Sequence, residues 1–93
     1  MAAAGDVTHD EHRRRFELEE DGATGFLTYV LRDGAIVFTH TIVPPELEGR
    51  GIGSRIVAAG LEHARAQGLK VVPQCSFVQG YIARHPEFSD LVA

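Results

Sequence analysis

The sequence contains one cysteine, more acidic than basic residues and no long apolar run, and each of these features excludes a class of protein. A lone Cys75 cannot form an internal disulfide, which favours a reducing compartment, and it cannot build a metal site without other residue types. No stretch approaches the ~20 apolar residues that a membrane helix needs. The first residues, Met1–Val7, lack the basic flank and apolar core of a signal peptide. We therefore expect a soluble cytoplasmic protein without a membrane partner.

The charge pattern argues against nucleic acid and metal ions as partners. With a formal net charge of −4, the chain as a whole has no positive field to attract nucleic acid. Its basic run, Arg13–Arg15, is explained most simply as a solvated strand face. Four histidines share no spacing that would converge on a metal, and we expect them at the surface or in a tail: His9, His12, His63 and His85.

The length of 93 residues predicts one domain, residues 1–93, with Met1–Asp6 as a loose tail. Two Asp-Gly pairs, Asp21-Gly22 and Asp33-Gly34, have the composition of hairpin turns that need positive φ. The turns separate three predicted strands that form an antiparallel meander: around Arg13–Glu20, Thr24–Arg32 and Ala35–Val43.

Alternation in the third predicted strand assigns its residues to two faces. One face takes the even-numbered residues from Ile36 to Ile42, which include His40, and the other takes the odd-numbered residues from Val37 to Val43. Pro44 ends the strand, because proline cannot donate to a sheet ladder.

After Gly53 the apolar period changes to that of a helix, which Gly68 ends. Leu69–Pro73 is a short apolar strand, and its parallel placement beside the third strand would complete a right-handed crossover. A last helix is predicted between Phe77 and His85. The fold class is therefore α+β: an antiparallel three-strand meander, a β-α-β crossover and a short C-terminal helix.

The segment Glu48–Ser54, in which a strand gives way to a helix, carries three alternate glycines. Glycine lets a ligand approach the backbone, and a helix start offers free N–H groups with a partial positive charge. Together these features make a phosphate site, to which Arg50 could add a charged contact.

Two common phosphate motifs do not fit this segment. A P-loop needs a lysine after the glycines, and none is present. The dinucleotide-binding fingerprint needs glycines at positions one, three and six, but Ser54 or Ile56 occupies the sixth position. A tight strand-to-helix connection that binds nothing stays open as an alternative.

Arg50-Gly51-Ile52-Gly53, at the start of a helix after a meander, resembles the coenzyme A signature of the GNAT superfamily of acetyltransferases, Gln/Arg-x-x-Gly-x-Gly/Ala. Glu48 departs from it, because Gln or Arg is usual there. His40-Thr41-x-Val43-Pro44 and Pro73-x-Cys75-Ser76-Phe77-Val78 extend the resemblance to a group of minimal GNAT-like proteins, over about Phe16 to Val92. The usual N-terminal helices have no room at Asp21-Gly22, which leaves the acceptor site undefined.

The resemblance implies a GNAT-like fold and acetyl-coenzyme A as co-substrate, without a metal. The pyrophosphate would bind the backbone amides around the glycines, and the pantetheine arm would lie between the splayed third and fourth strands. The cofactor-binding residues would then be Ile42, Val43, Glu48, Gly49, Arg50, Gly51, Ile52, Gly53 and Ser54.

Three residues are candidates for catalysis, and each has a simpler structural explanation. His40 would act as a general base, or is a histidine packed in the sheet. Cys75 would line the thioester site or accept the acetyl group, or is a small buried apolar residue. Tyr81 would protonate the leaving thiolate, as a helix tyrosine often does in the superfamily, or is a core aromatic.

The leading hypothesis is an acetyl-CoA-dependent N-acetyltransferase that transfers the acetyl group directly to an amine. The alternatives are a non-catalytic module that binds CoA or acyl-CoA, and a small interaction domain with a vestigial turn. The acceptor stays open among protein lysine, polyamine, small amine and N-terminus, and we expect a monomer or a weak homodimer.

Overall fold

The computed structural model describes residues 6–93, so the predicted loose tail lies outside the described residues except for Asp6. Residues 7–93 form five strands, two α-helices and two short 3-10 helices. The strands are β1 (Thr8–Asp10), β2 (Arg15–Glu20), β3 (Ala23–Arg32), β4 (Ala35–Ile42) and β5 (Lys70–Pro73). The helices are α1 (Ile52–Gln67) and α2 (Ser76–Arg84), with 3-10 turns at Pro45–Leu47 and Pro86–Leu91.

One mixed sheet runs in the order β1-β2-β3-β4-β5. The strands β1 to β4 pair antiparallel with their neighbours, and β5 pairs parallel with β4. The predicted meander and the β-α-β crossover are confirmed, and the α+β fold class with them. Both Asp-Gly turns have the expected backbone, with φ of 53° and 79° at Asp21-Gly22 and of 52° and 79° at Asp33-Gly34.

The N-terminal strand β1 was not predicted. It has three residues, too few for a visible alternation, and it pairs with β2 after a turn in which Arg14 takes a φ of 58°. Two residues of the predicted first strand, Arg13 and Arg14, therefore belong to that turn, and β2 begins at Arg15.

The return of β1 also corrects the expectation for two histidines. The ring of His9 stacks on Phe16 at 4.1 Å between centroids, and its Nε2 lies 2.6 Å from the Tyr29 hydroxyl. His63 of α1 meets the His9 ring edge-on at 4.4 Å. Both histidines are half-buried rather than free at the surface, because β1 folds back beside β2 and brings His9 under α1.

Helix α1 covers one face of the sheet, and a glycine lets it approach closely. A Cβ on Gly60 would lie 3.1 Å from atoms of Leu27 and Phe38, so this position has no room for a larger side chain. The C-terminal segment packs into the same core through Phe88 and Leu91. Among residues 6–93, no helix has the length and apolar character needed to cross a membrane.

A bulge in β4 changes the faces of its second half. Thr28 of β3 pairs with His40, but the next residue, Tyr29, pairs with Phe38, so Thr39 is an extra residue in β4. Thr41 consequently lies opposite Leu27, whose side chain packs under α1. The predicted alternation is therefore wrong beyond Phe38: Thr41 faces the side of α1, and His40 with Ile42 faces away from it.

Candidate cofactor site

The glycine turn, which we define as Glu48–Ser54, is shaped by two glycines with left-handed backbone. Gly49 has a φ of 82° and Gly51 a φ of 74°, and a Cβ on either residue would meet no atom within 4 Å. Glycine is therefore needed at both positions for backbone conformation and not for space. Gly51 is the N-cap of α1 and gives its first turn no side-chain hydrogen bond, which leaves the amides there to a ligand.

A cavity of about 450 Å³ opens on this turn. Its walls contain seven of the nine residues predicted to bind the cofactor, which leaves out only Ile42 and Arg50. Three further residues complete the lining, none of which was predicted to bind the cofactor. The full set is Thr41, Val43, Leu47, Glu48, Gly49, Gly51, Ile52, Gly53, Ser54 and Phe77.

Arg50 does not reach the cavity, because its guanidinium is held by the turn between β2 and β3. Its Nη1 donates to Asp21 at 2.6 Å and to Glu20 at 3.0 Å. The hydrogen bonds that Arg50 donates to the Asp21 and Glu20 carboxylates raise the pKa of its guanidinium. Since both partners lie about thirty residues earlier in the chain, the sequence motif gave no sign that this side chain was already engaged.

The wall of the cavity carries one charged side chain, Glu48, and it is acidic. A carboxylate opposes the binding of a phosphate, and residues 6–93 contribute no guanidinium or ammonium group to the lining to offset it. Anion binding at this site must therefore come from the backbone amides of the glycine turn and from the positive end of α1.

The two parallel strands beside the cavity separate part-way along their length. Pairing of β4 with β5 runs from Ala35 opposite Lys70 to Phe38 opposite Pro73 and then stops. The amides of Gln74 and Cys75 both donate to the Phe38 carbonyl at 3.1 Å, which turns the chain away from β4. Beyond this point β4 continues to Ile42 paired only with β3, as the predicted splay requires.

Cys75 lies in this splay, at the N-cap of α2. Its Sγ is 3.3 Å from Oγ1 of Thr41, which lines the cavity. Burial acts to raise the pKa of the thiol, but hydrogen bonds from the Thr41 hydroxyl and from the backbone amides of Val78 and Phe77 outweigh it and lower the pKa below its ordinary value. The Cys75 thiol therefore does not line the cavity itself but is hydrogen-bonded to Thr41, which does.

His40 and Tyr81 are not brought to the cavity. His40 is exposed, and the bulge at Thr39 directs it to the face opposite Thr41. Tyr81 is buried in α2, where its ring stacks on His85 at 3.9 Å, and burial raises its pKa. His85, expected at the surface, is thereby half-buried. The catalytic roles of His40, Cys75 and Tyr81 stay predictions.

Proteins of similar sequence and structure identify the family of this chain. A sequence profile described as GCN5-related N-acetyl-transferase matches residues 15–91. The chain belongs to this family. Other members of similar sequence are Protein NATD1 of Mus musculus and of Homo sapiens, each 32% identical over 83 residues. These matches cover 86% of this chain and 76% and 74% of the two relatives.

The GCN5-related fold is also found by comparison of structures. The NMR solution structure of a GCN5-like protein from Staphylococcus aureus superposes with a TM-score of 0.73 at 29% identity, over 100% of this chain and 91% of the other. Membership in this family supports acyl transfer as the general chemistry of the site. Within the described residues 6–93, no group of three or more histidine, cysteine or acidic side chains could hold a metal ion.

Proposed function

We propose that this protein is an acetyl-CoA-dependent N-acetyltransferase that transfers the acetyl group directly to an amine. The observation that carries the proposal is the cavity on the glycine turn, which continues to Thr41 where β4 and β5 separate. Backbone amides lie at one end of this space and a free strand edge at the other. Such a space suits a long ligand with an anionic head and a neutral polar arm.

The anionic head would bind at the start of α1. The amides of the glycine turn would bind it, since Gly49 and Gly51 have left-handed backbone and the N-cap adds no competing side chain. These groups fit the pyrophosphate of coenzyme A, since they supply several N–H donors and the positive end of a helix of 16 residues. Arg50 contributes indirectly, because its ion pairs fasten the turn to the β2–β3 hairpin.

The pantetheine arm would lie along β4 beyond Phe38. In this part of the described chain, β4 has no strand partner on the side of β5. The arm contains two amides, which can bond to the backbone near Ile42 and Val43 as a further strand would. This direction brings the thioester toward Thr41 and Cys75.

In the transfer step, the neutral acceptor nitrogen attacks the thioester carbonyl, the C–N bond forms, and the C–S bond breaks with the electron pair on sulfur. The proton that the nitrogen loses as it becomes an amide passes to the leaving thiolate, which gives free coenzyme A. Backbone amides of the separated strands would stabilise the developing oxyanion. The ammonium form of the acceptor must first lose a proton. We assign this step to His40, acting through water, because it is the residue before Thr41 in β4 and its imidazole is exposed on the opposite face of the sheet.

The first test is a thermal-shift titration with acetyl-CoA, with ATP and NAD as controls. A ligand at a hundred times its Kd adds about 2.7 kcal/mol, and each kcal/mol raises the Tm of a domain this small by about 4–8 °C. We expect a rise above about 10 °C with acetyl-CoA alone. The absence of any shift at millimolar acetyl-CoA would refute the proposal and leave a small interaction domain as the better explanation.

A second test separates the enzyme from a non-catalytic CoA-binding module. The module is favoured by the positions of His40 and Tyr81, neither of which lines the cavity. We expect acetyl transfer to a panel of lysine peptides, polyamines and small amines, and a sharp loss of turnover in His40→Ala and Cys75→Ala. Binding without turnover on the whole panel would identify a module. Turnover equal to that of the wild type in both variants would remove these residues from the mechanism.

We further propose that residues 1–93 form one domain that works in the cytoplasm as a monomer or a weak homodimer, with no nucleic acid or membrane partner. The thiol of Cys75 is free, which suits a reducing compartment. Light scattering during size-exclusion chromatography over a range of concentrations tests the oligomeric state. A tight dimer at the lowest concentration would contradict it.

A further inference from the structure

The phenyl ring of Phe77 lies on the first turn of α1. A Cβ placed on Gly53 would come within 2.8 Å of Cζ of this ring, closer than Cβ atoms approach other atoms in folded proteins, and within 3.1 Å of Cε2. Gly53 differs in this respect from Gly49 and Gly51, whose Cβ positions are open and whose φ values are positive. A larger residue at position 53 would therefore displace the aromatic ring, whereas the backbone there does not call for glycine.

Phe77 also connects the two ends of the cavity. It belongs to the first turn of α2, the helix whose N-cap is Cys75. Its ring also touches the first turn of α1, which holds the backbone amides proposed to bind the pyrophosphate. Its side chain lines the cavity and keeps 40% of its surface exposed. An exposed aromatic ring in a cavity wall has an apolar face available to a ligand.

We propose that Phe77 is a positioning residue of the cofactor site: seated on Gly53, its ring sets the distance between the starts of α1 and α2 and supports the pantetheine arm. This inference rests on the proposed function. It assigns to the ring the stretch between the amides of the glycine turn and the hydrogen-bonded pair of Thr41 and Cys75. A ligand that ends at the pyrophosphate does not extend along this stretch.

The contact with Gly53 is tested without any ligand, by a double-mutant cycle on Tm. Gly53→Ala overpacks the ring, and we expect a Tm lower by about 4 °C or more. Phe77→Leu removes the flat ring, so the double variant Gly53→Ala/Phe77→Leu is expected to recover at least half of that loss. Strictly additive changes would overturn the inference, because they would mean that the two residues do not interact.

The role in binding is tested by the ratio of two affinities, measured by calorimetry. One ligand is coenzyme A, and the other is adenosine 3′-phosphate 5′-diphosphate, which has the pyrophosphate but no pantetheine. For Phe77→Ala we expect coenzyme A to bind about tenfold more weakly, which corresponds to about 1.4 kcal/mol, and the shorter ligand to bind as in the wild type. Val30→Ala is the control, since Val30 is equally exposed at 40% and lies outside the cavity.

Equal weakening of both ligands in Phe77→Ala would overturn the positioning role, because it would indicate general damage to the site. Unchanged binding of both would overturn it as well. If the wild type binds neither ligand, the proposed function itself is refuted, and the positioning role is refuted with it. The three failures are distinguishable because the wild-type titration is measured first.

Discussion

Because Gly51 has a left-handed conformation, replacing it should change both the Tm and the affinity for acetyl-CoA, and the two effects can be measured separately. Gly51→Ala puts a Cβ into open space, so the change in free energy comes from the backbone alone. An L-residue in the left-handed region loses about 1–2 kcal/mol relative to glycine. At about 4–8 °C per kcal/mol, the Tm is expected to fall by at least about 4 °C if the alanine keeps this conformation.

Alanine at this position can escape the strain by taking a right-handed conformation, which rotates the amides of the turn away from the cavity. Binding then requires the return of the strained conformation. The apparent Kd rises in proportion to the fraction of molecules that have left the competent state. Strain that is relieved in this way opposes binding instead of lowering the Tm, so the two losses together amount to about 1–2 kcal/mol. The affinity for acetyl-CoA is expected to fall by up to about 5–30-fold, as measured by titration calorimetry, and the Tm falls less where the affinity falls more.

Gly68→Ala supplies the matched control. Gly68 ends α1 with a φ of 69°, also has an open Cβ position, and lies outside the cavity lining. Both variants should lose stability, but only Gly51→Ala should lose affinity. If Gly51→Ala binds acetyl-CoA as tightly as Gly68→Ala does, the amides of the glycine turn do not hold the ligand and the argument is refuted.

Three other substitutions test the charges around the site and the N-terminal strand. Glu48→Gln removes the acidic charge from the cavity wall and should tighten acetyl-CoA binding several-fold, since a like-charge contact near water costs on the order of 1 kcal/mol. The gain in affinity should shrink at high salt. An unchanged Kd at low salt would contradict this prediction. Thr41→Val removes a hydrogen-bond donor to Cys75 and should raise the thiol pKa, which slows its reaction with a disulfide reagent at neutral pH; Thr39→Val is the control, and equal rates in both would exclude this role. Burial and the neighbouring His63 lower the pKa of His9 in the folded protein below 6.5. The contribution of neutral His9 to the free energy of unfolding is therefore complete above pH 6.5 and is lost as the pH falls through the folded-state pKa. The Tm should fall with acidification, and more steeply than in His9→Gln.

The strands and turns were accessible from the sequence because local rules fix them. An Asp-Gly pair between apolar runs specifies a hairpin turn almost by itself, and both pairs adopt the backbone that this rule requires. The position of the glycine turn was likewise accessible, because three alternate glycines stand where the apolar period changes from that of a strand to that of a helix. In contrast, β1 has only three residues and depends on pairing with β2, so no local pattern could indicate it.

The residues at the far end of the cavity could not be assigned, because one extra residue changes the face of all that follow. With a regular β4, His40 would have shared a face with Phe38. The bulge at Thr39 brings Thr41 to that face instead, beside Cys75 and the cavity. A bulge shows no signature in a run of β-branched residues, since threonine suits either side of a strand. The proposed chemistry of the site therefore depends on a register change that is visible only in the pairing of β3 with β4. This change places Thr41 on the cavity side, where its hydroxyl is hydrogen-bonded to the Cys75 thiol.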